Sequence, residues 1–162
     1  MKKRLVPFMI LVFSLFLSAC GAIESALDEA VESDLSETRE ETRNEQIDKD
    51  DYYSSAEDVA YYLHIYEELP DNYLTKEEAR ELGWQASEGN LWEVTDEMLI
   101  GGDRFGNREG LLPEEDGRQY YEADVNYDGG YRNDERLVYS DDGLIYYTDD
   151  HYDSFQQLYG EE

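Results

Sequence analysis

Residues 122–136 read EADVNYDGGYRNDER, and two different interpretations of this stretch are open. In the first, its acids bind a metal ion, because they fit the spacing D-x-[DN]-x-[DN]-G-x5-E of a calcium-binding EF-hand loop. In the second, a carboxylate at one end acts as a base, and arginines at the other end bind an anion. The calcium interpretation uses Asp124, Asn126, Asp128, Gly129 and Glu135, and the second uses Glu122, Arg132 and Arg136.

The residues that flank this stretch have the composition of β-strands. Short runs rich in Tyr, Val, Leu and Ile precede and follow it, and Asp141-Asp142-Gly143 is a hairpin turn signal between two later runs. An EF-hand needs a helix on each side of its loop, so the flanks favour the second interpretation. The predicted strands are residues 120–125, 136–140, 144–148 and 155–159.

Helix signals come earlier in the chain. A serine pair at 54–55 precedes apolar residues at helical spacing, which predicts a helix that ends before Pro70. Thr75 and Glu78 have the spacing of a capping box, so a second helix is predicted up to Gly83, and Asn90 can start a short third one. This order indicates an α+β fold, with N-terminal helices packed on a C-terminal antiparallel β-sheet.

The N-terminus has the pattern of a signal peptide. Basic residues at 2–4 precede an apolar run at 5–17, which is too short for a membrane span. The sequence LSAC, residues 17–20, resembles a bacterial lipobox, which implies cleavage before Cys20 and lipidation of its thiol. An ordinary signal peptide, in which Cys20 falls there by chance, is the alternative. Cys20 is the only cysteine, which excludes an internal disulfide.

We therefore expect three parts in the chain. Residues 1–19 form the lipoprotein signal peptide, residues 20–52 an acidic tether and residues 53–162 the globular domain. The tether has too few large apolar residues to offset the entropy lost on ordering.

The chain is strongly acidic, with a formal net charge of −28 at pH 7. Residues 53–162 hold seven basic and 29 acidic residues, a net of −22. Such a surface repels nucleic acid at long range, so composition alone argues against RNA as a ligand. An RNA site in this chain would have to be built locally from a few cations.

Six sequence words follow one another through the globular part: LPDNYLTKEEA at 69–79, LGWQASEGNL at 82–91, IGGDRFGNREG at 100–110, YEADVNY at 121–127, GYRNDERLVYS at 130–140 and TDDHY at 148–152. Together they resemble the microbial ribonuclease family, the barnase-like extracellular ribonucleases of bacteria that prefer guanosine. The resemblance runs from about residue 56 to 159. It implies the α+β fold of that family and endonucleolytic cleavage of single-stranded RNA 3′ to guanosine.

The resemblance also implies the chemistry and the site residues. The ribose 2′-hydroxyl attacks the adjacent phosphorus and a 2′,3′-cyclic phosphate forms, which needs a base, an acid and cations, but neither a metal nor a cofactor. By position in the motifs, Glu122 matches the base and His151 the acid. Lys76, Arg132 and Arg136 match the phosphate-binding cations, Tyr152 a substrate-contacting neighbour, and Phe105, Gly106, Asn107, Arg108 and Glu109 the guanine-recognition loop.

The residues themselves agree with this assignment in three ways. Lys76 lies in the first turn after the Thr75 cap, where the helix dipole disfavours a cation, so an anion is predicted between it and the free amides. His151 lies beside three acids, whose charges favour a protonated ring. Of the seven basic residues of the domain, four lie at site positions of the family: Lys76, Arg108, Arg132 and Arg136.

Several expectations about partners follow. Asp124 is predicted to pair with Arg132 or Arg136 and to hold them in place. The ribonuclease resemblance implies single-stranded RNA as the substrate, and we expect a monomer. The lipobox-like sequence implies an anchor on the outer face of the cell membrane through Cys20. The ribonuclease resemblance also implies a small acidic inhibitor resembling barstar as a partner. Two alternatives remain open: a catalytically silent acidic surface lipoprotein that uses the fold for binding, and a calcium-binding protein.

Overall fold

The structure of the protein is a computed structural model that describes residues 47–161. The predicted signal peptide, Cys20 and the tether up to residue 46 lie outside the described residues. Within residues 47–161, no helix is long and apolar enough to cross a membrane.

Three helices come before most of the sheet. They are α1 (Ala56–Tyr66), α2 (Lys76–Glu81) and α3 (Leu91–Val94). The strands are β1 (Tyr73–Leu74), β2 (Leu99–Phe105), β3 (Tyr120–Asp124), β4 (Arg136–Ser140), β5 (Ile145–Thr148) and β6 (Gln156–Tyr159).

The six strands form one sheet in sequence order. Strand β1 runs parallel to β2, and every later pair is antiparallel. The prediction of an α+β fold with helices packed on an antiparallel sheet is confirmed, with the short parallel pair β1–β2 as an addition.

The helix caps follow the predicted chemistry. The Ser55 side chain accepts a hydrogen bond from the amide of Asp58 and caps α1. Thr75 and Glu78 form the predicted capping box at the start of α2, and Gly83 follows its end with φ +103°. Asn90 precedes α3 without capping it, because its side chain bonds Gln85 and Gly83 instead.

The sheet separates two apolar layers. On one face, α1 packs Val59, Ala60 and Leu63 against Val125, Leu137 and Ile145. On the other face, Tyr120, Val138, Leu144 and Tyr146 pack with Leu112. Because neighbouring residues of a strand point to opposite faces, Glu122 lies on the face away from α1.

Residues 47–52, the end of the predicted tether, contact the first helix. Ile47 is buried against Tyr61 and Tyr62. The hydroxyl of Tyr66 donates to the carbonyl of Ile47 at 3.1 Å, and that of Tyr62 donates to the carbonyl of Lys49 at 3.0 Å. The end of the predicted tether is therefore part of the packed structure.

Strand β2 was missing from the predicted set, and its glycines explain why. Gly101 has low β-propensity, yet a Cβ there would lie 2.6 Å from Cδ1 of Tyr73, so only glycine lets β1 approach. Gly102 has φ +86° and sits at a shift of register between Gly101 and Asp103. This irregularity sets Asp103 opposite Glu122 in the β2–β3 pair.

Candidate active site

Glu122 lies in the middle of β3 with its carboxylate contacted by two donors. Its side chain is 8% exposed. Lys76, the first residue of α2, forms an ion pair with one carboxylate oxygen, and the hydroxyl of Tyr152 donates to the other. The first residue of α2 and the loop after β5 therefore both contact this strand at Glu122.

The surroundings of Glu122 stabilise its ionised form. Burial raises the pKa of the carboxyl, but the hydrogen bonds from Lys76 and Tyr152, with the charges of Lys76 and Arg132, outweigh that effect and hold the pKa below its usual value. The side chain is therefore a carboxylate at neutral pH, in the form that can accept a proton.

Asp124, two residues along the same strand, binds both predicted arginines. Nε of Arg132 lies 2.6 Å from Oδ2 of Asp124, and its Nη2 bonds Oδ1. Nε of Arg136 lies 2.9 Å from Oδ1 of the same carboxylate. The predicted pairing of Asp124 is thus confirmed, and it involves both arginines.

The two arginines differ in exposure. The side chain of Arg132 is 22% exposed, whereas that of Arg136 is 2% exposed and also bonds Asn133 and the carbonyl of Glu135. Burial lowers the pKa of Arg132, but its bonds to Asp124 and the charge of that carboxylate raise it overall. Arg132 is therefore the cation of this pair that faces the open side of the site.

Two carboxylates contact the start of α2, where the sequence predicts a bound anion. The backbone amide of Lys76 donates to Oδ2 of Asp103 at 2.9 Å, and its ammonium group pairs with Glu122. Both donors are thus taken by carboxylates of the protein itself. The anionic groups at this helix start are Asp103 and Glu122, and the bound anion remains a prediction.

His151 lies on the loop between β5 and β6, next to Tyr152. Both residues adopt left-handed backbone conformations, with φ of 56° and 77°, which non-glycine residues seldom do. Asp150 holds this loop: it accepts hydrogen bonds from Ser154 and Thr148, which lower its pKa to about 2. Strained loops of this kind are frequent at functional sites.

The ring of His151 is exposed and packs on its neighbour, with the His151 and Tyr152 ring centroids 4.9 Å apart. Within residues 47–161, His151 forms no ion pair. Tyr152 therefore links His151 to Glu122, because the same side chain contacts both.

The predicted recognition loop follows β2 and adjoins the site through Phe105, whose ring lies 5.1 Å from that of Tyr152. Asn107 braces the loop: its side chain exchanges two hydrogen bonds with the backbone of Leu112. Arg108 and Glu109 are exposed, and a groove of about 550 Å³ is lined by Phe105, Gly106, Asn107 and Arg108 together with residues of the 114–120 segment.

A sequence model of the ribonuclease family matches residues 56–159. The chain belongs to the ribonuclease family. A ribonuclease of Heyndrickxia coagulans is 58% identical over 100 residues, which cover 62% of this chain and 92% of that relative. Ribonucleases of Bacillus intermedius and Bacillus pumilus are also 58% identical over 100 residues, which cover 62% of this chain and 62% of each relative.

The calcium interpretation does not fit this ribonuclease. Its loop would be flanked by β3 and β4, which are paired antiparallel strands, where an EF-hand needs helices. Its first ligand, Asp124, is 1% exposed and already binds two guanidinium groups. The acidic turn matches the calcium spacing by coincidence.

Two residues of the candidate site were not predicted from the sequence. Asp103 holds the start of α2, and Asn133 links Arg136 to the backbone of Val125 and Asn126. Both lie inside the quoted words, IGGDRFGNREG and GYRNDERLVYS. Their positions within these sequences marked them as candidates, but their contacts depend on the register of the sheet, which the sequence does not show.

Removing Lys76 should shift the pH dependence of RNA cleavage. In Lys76→Ala the carboxylate of Glu122 loses a hydrogen bond and a positive charge, while its burial remains, so its pKa rises. A base must be deprotonated to act, so when the pH is lowered the variant will lose activity at a higher pH than the unmodified protein does. The measurement is kcat/KM against pH for both proteins.

Tyr152→Phe is the matched variant for this test, because it removes one hydrogen bond from Glu122 and no charge. It should shift the acidic limb of the curve of kcat/KM against pH in the same direction as Lys76→Ala, by a smaller amount. An acidic limb that stays in place or moves to lower pH in Lys76→Ala contradicts the assignment of Glu122.

Proposed function

We propose that the protein is a secreted, lipid-anchored endoribonuclease that cleaves single-stranded RNA 3′ to guanosine through a 2′,3′-cyclic phosphate. The observation that carries the proposal is the Glu122 carboxylate, ionised and held between Lys76 and Tyr152. Membership of the ribonuclease family supports ribonuclease activity.

The proposed first step is a proton transfer to Glu122. Its carboxylate removes the proton of the ribose 2′-hydroxyl, and the resulting oxyanion attacks the adjacent phosphorus. His151 donates a proton to the departing 5′-oxygen as the P–O5′ bond breaks. In the second step the roles reverse: His151 takes a proton from water, which opens the cyclic phosphate, and Glu122 returns its proton to the 2′-oxygen.

The cations act on the phosphorane. Lys76 and Arg132 would stabilise the charge that develops on its oxygens, and Arg136 would hold Asp124 and therefore the orientation of Arg132. These fixed cations lie at a partly buried position, where charge interactions are stronger than in bulk water. They offset, at short range, the repulsion of RNA by the acidic surface.

The loop of residues 105–109 is the proposed guanine site. Within residues 47–161, the backbone amides of Asn107 and Glu109 have no acceptor, so they are free to meet a base edge. The exposed carboxylate of Glu109 can accept from guanine N–H groups, and Arg108 lies beside it. Gly106 offers no hydroxyl to the base.

An RNA oligonucleotide with a single guanosine and a fluorescent reporter tests the proposal. We expect cleavage 3′ to that guanosine, a cyclic phosphate on the product, and an unchanged rate in EDTA, because side chains fill each catalytic role. Replacing the guanosine by adenosine is the control. Equal cleavage of both would contradict the guanine site, and a rate abolished by EDTA would contradict the metal-independent mechanism.

The anchor is proposed from residues 17–20 and is tested separately. In a bacterial host, the full chain should fractionate with the membrane and take up radiolabelled palmitate. Cys20→Ser removes the thiol that would carry the lipid, so both properties should be lost while RNA cleavage in the medium appears. Membrane association that survives this change contradicts the anchor.

A small acidic inhibitor resembling barstar is the proposed protein partner. Its carboxylates would occupy the place of RNA phosphates. The contact set would be Lys76, Arg108, Arg132 and His151.

A further inference from the structure

A second cavity, of about 540 Å³, lies on the face of the sheet opposite Glu122. Tyr121 lines it, and the neighbouring Glu122 points to the other face. The end of α1 forms one wall, and the turn between β4 and β5 forms another. The lining includes Leu63, His64, Tyr121, Tyr139, Ile145 and Gly143.

The inner surface of this cavity is aromatic and apolar. The rings of Tyr121 and Tyr139 stack with centroids 5.6 Å apart and 28° between their planes. Both tyrosines are only partly exposed, and Leu63 and Ile145 beside them are buried. Gly143 adds no side chain, and a Cβ there would meet nothing within 4 Å.

The rim of the cavity is negatively charged. Glu67, Asp141 and Asp142 line it, and no lysine or arginine does. Asp142 is neutralised by Arg118, whose Nε lies 2.7 Å from it. Glu67 has no ion pair or side-chain hydrogen bond within residues 47–161, and it follows the C-terminus of α1, where the helix dipole is negative.

The apolar inner surface and the acidic rim favour one class of ligand. A carboxylate or phosphate would meet Glu67 and Asp141 at the rim, and a purely apolar molecule would leave those charges without a partner. The tyrosine rings offer an apolar surface to a hydrocarbon group, and the carboxylates at the rim attract an ammonium group. The volume is within the range of small-molecule sites.

We propose that this cavity binds a small organic ammonium ion that carries an apolar group. The apolar group lies against Leu63, Ile145 and the tyrosine rings, and the ammonium group faces Glu67 and Asp141. The site is separated from the catalytic cluster by the sheet, so it stands whether or not the proposed RNA chemistry is correct.

Benzylammonium chloride is the probe, titrated into the full chain and followed by NMR of the tyrosine and His64 ring protons. We expect saturable shifts of Tyr121 and Tyr139. Benzyl alcohol, which has the same ring but no charge, should bind about fivefold or more weakly.

Two pairs of substitutions separate a specific site from the overall negative charge. Glu67→Gln with Asp141→Asn removes two rim charges and keeps the oxygen of residue 141 that accepts from the Gln119 amide at 2.9 Å. Glu93→Gln with Asp96→Asn removes two exposed charges outside the cavity lining. Only the first pair should weaken benzylammonium binding, by about fivefold.

A third variant excludes the catalytic site as the place of binding. Glu122→Gln should bind benzylammonium as the unmodified protein does. The proposal is overturned if no saturable shift appears, if benzyl alcohol binds equally well, if both charge pairs have the same effect, or if Glu122→Gln abolishes binding.

Discussion

Glu122→Gln is expected to lower kcat/KM for RNA by about two to four orders of magnitude, the usual contribution of a general base. Glutamine has nearly the same shape but cannot accept the proton of the 2′-hydroxyl. The side chain is 8% exposed between Lys76 and Tyr152, so an amide can occupy the same place with little change in packing. The single-guanosine RNA provides the measurement, and near-UV circular dichroism checks the fold.

Glu77→Gln is the matched control for this variant. Glu77 is an exposed carboxylate next to Lys76 on the same helix, and the change removes the same charge. Its rate should stay within about twofold of the unmodified protein, as for a solvent-screened charge. A loss below tenfold in Glu122→Gln, with the fold intact, would remove Glu122 from the role of base.

A second substrate distinguishes the role of the base from that of the acid. An aryl ester of guanosine 3′-phosphate has a leaving group that departs without protonation, so His151→Ala should cost much less on this substrate than on RNA. Glu122→Gln should cost about the same on both, because the 2′-hydroxyl must still lose its proton. If His151→Ala loses equal activity on both substrates, His151 is not the acid.

Local signals predicted the parts of the fold that depend on local chemistry. The caps at Ser55 and Thr75 and the β4–β5 turn depend on a few neighbouring side chains, and the structure has all three. Strand β2 depends instead on its partners: Gly101 and Gly102 have little β-propensity of their own, and β1 and β3 supply the hydrogen bonds.

In the candidate site, too, some features follow from local sequence and others depend on the position of the strands. The charges of Asp124, Arg132 and Arg136 are visible in the sequence, and their opposite signs were enough to predict a pair. The burial of Arg136 could not be predicted from the sequence, because it results from the position of β4 at the centre of the sheet. The carboxylate of Asp103 at the start of α2 also depends on the irregular register of β2.

Asp124→Asn is expected to reduce the free energy of unfolding by about 3–5 kcal/mol, the usual cost of removing one partner from a buried ion pair. Asp124 is 1% exposed, accepts hydrogen bonds from Arg132 and forms an ion pair with Arg136. Asparagine keeps the shape but replaces one acceptor oxygen by an NH₂ group, which would face guanidinium donors. Arg136, at 2% exposure, would then keep a buried charge without a counter-ion.

Urea unfolding measures this change, with the slope m unchanged if the native and unfolded states keep their compactness. Glu68→Gln is the control, because it breaks an ion pair with Lys49 at 2.7 Å in which both side chains are more than half exposed. It should leave the midpoint nearly unchanged, because solvent screens exposed pairs. A similar loss in both variants would mean that Asp124 acts only through net charge. We expect a large loss of unfolding free energy in Asp124→Asn alone, together with slower RNA cleavage under conditions in which the variant is folded. Both results follow if one buried carboxylate stabilises the sheet and orients Arg132 towards the phosphate.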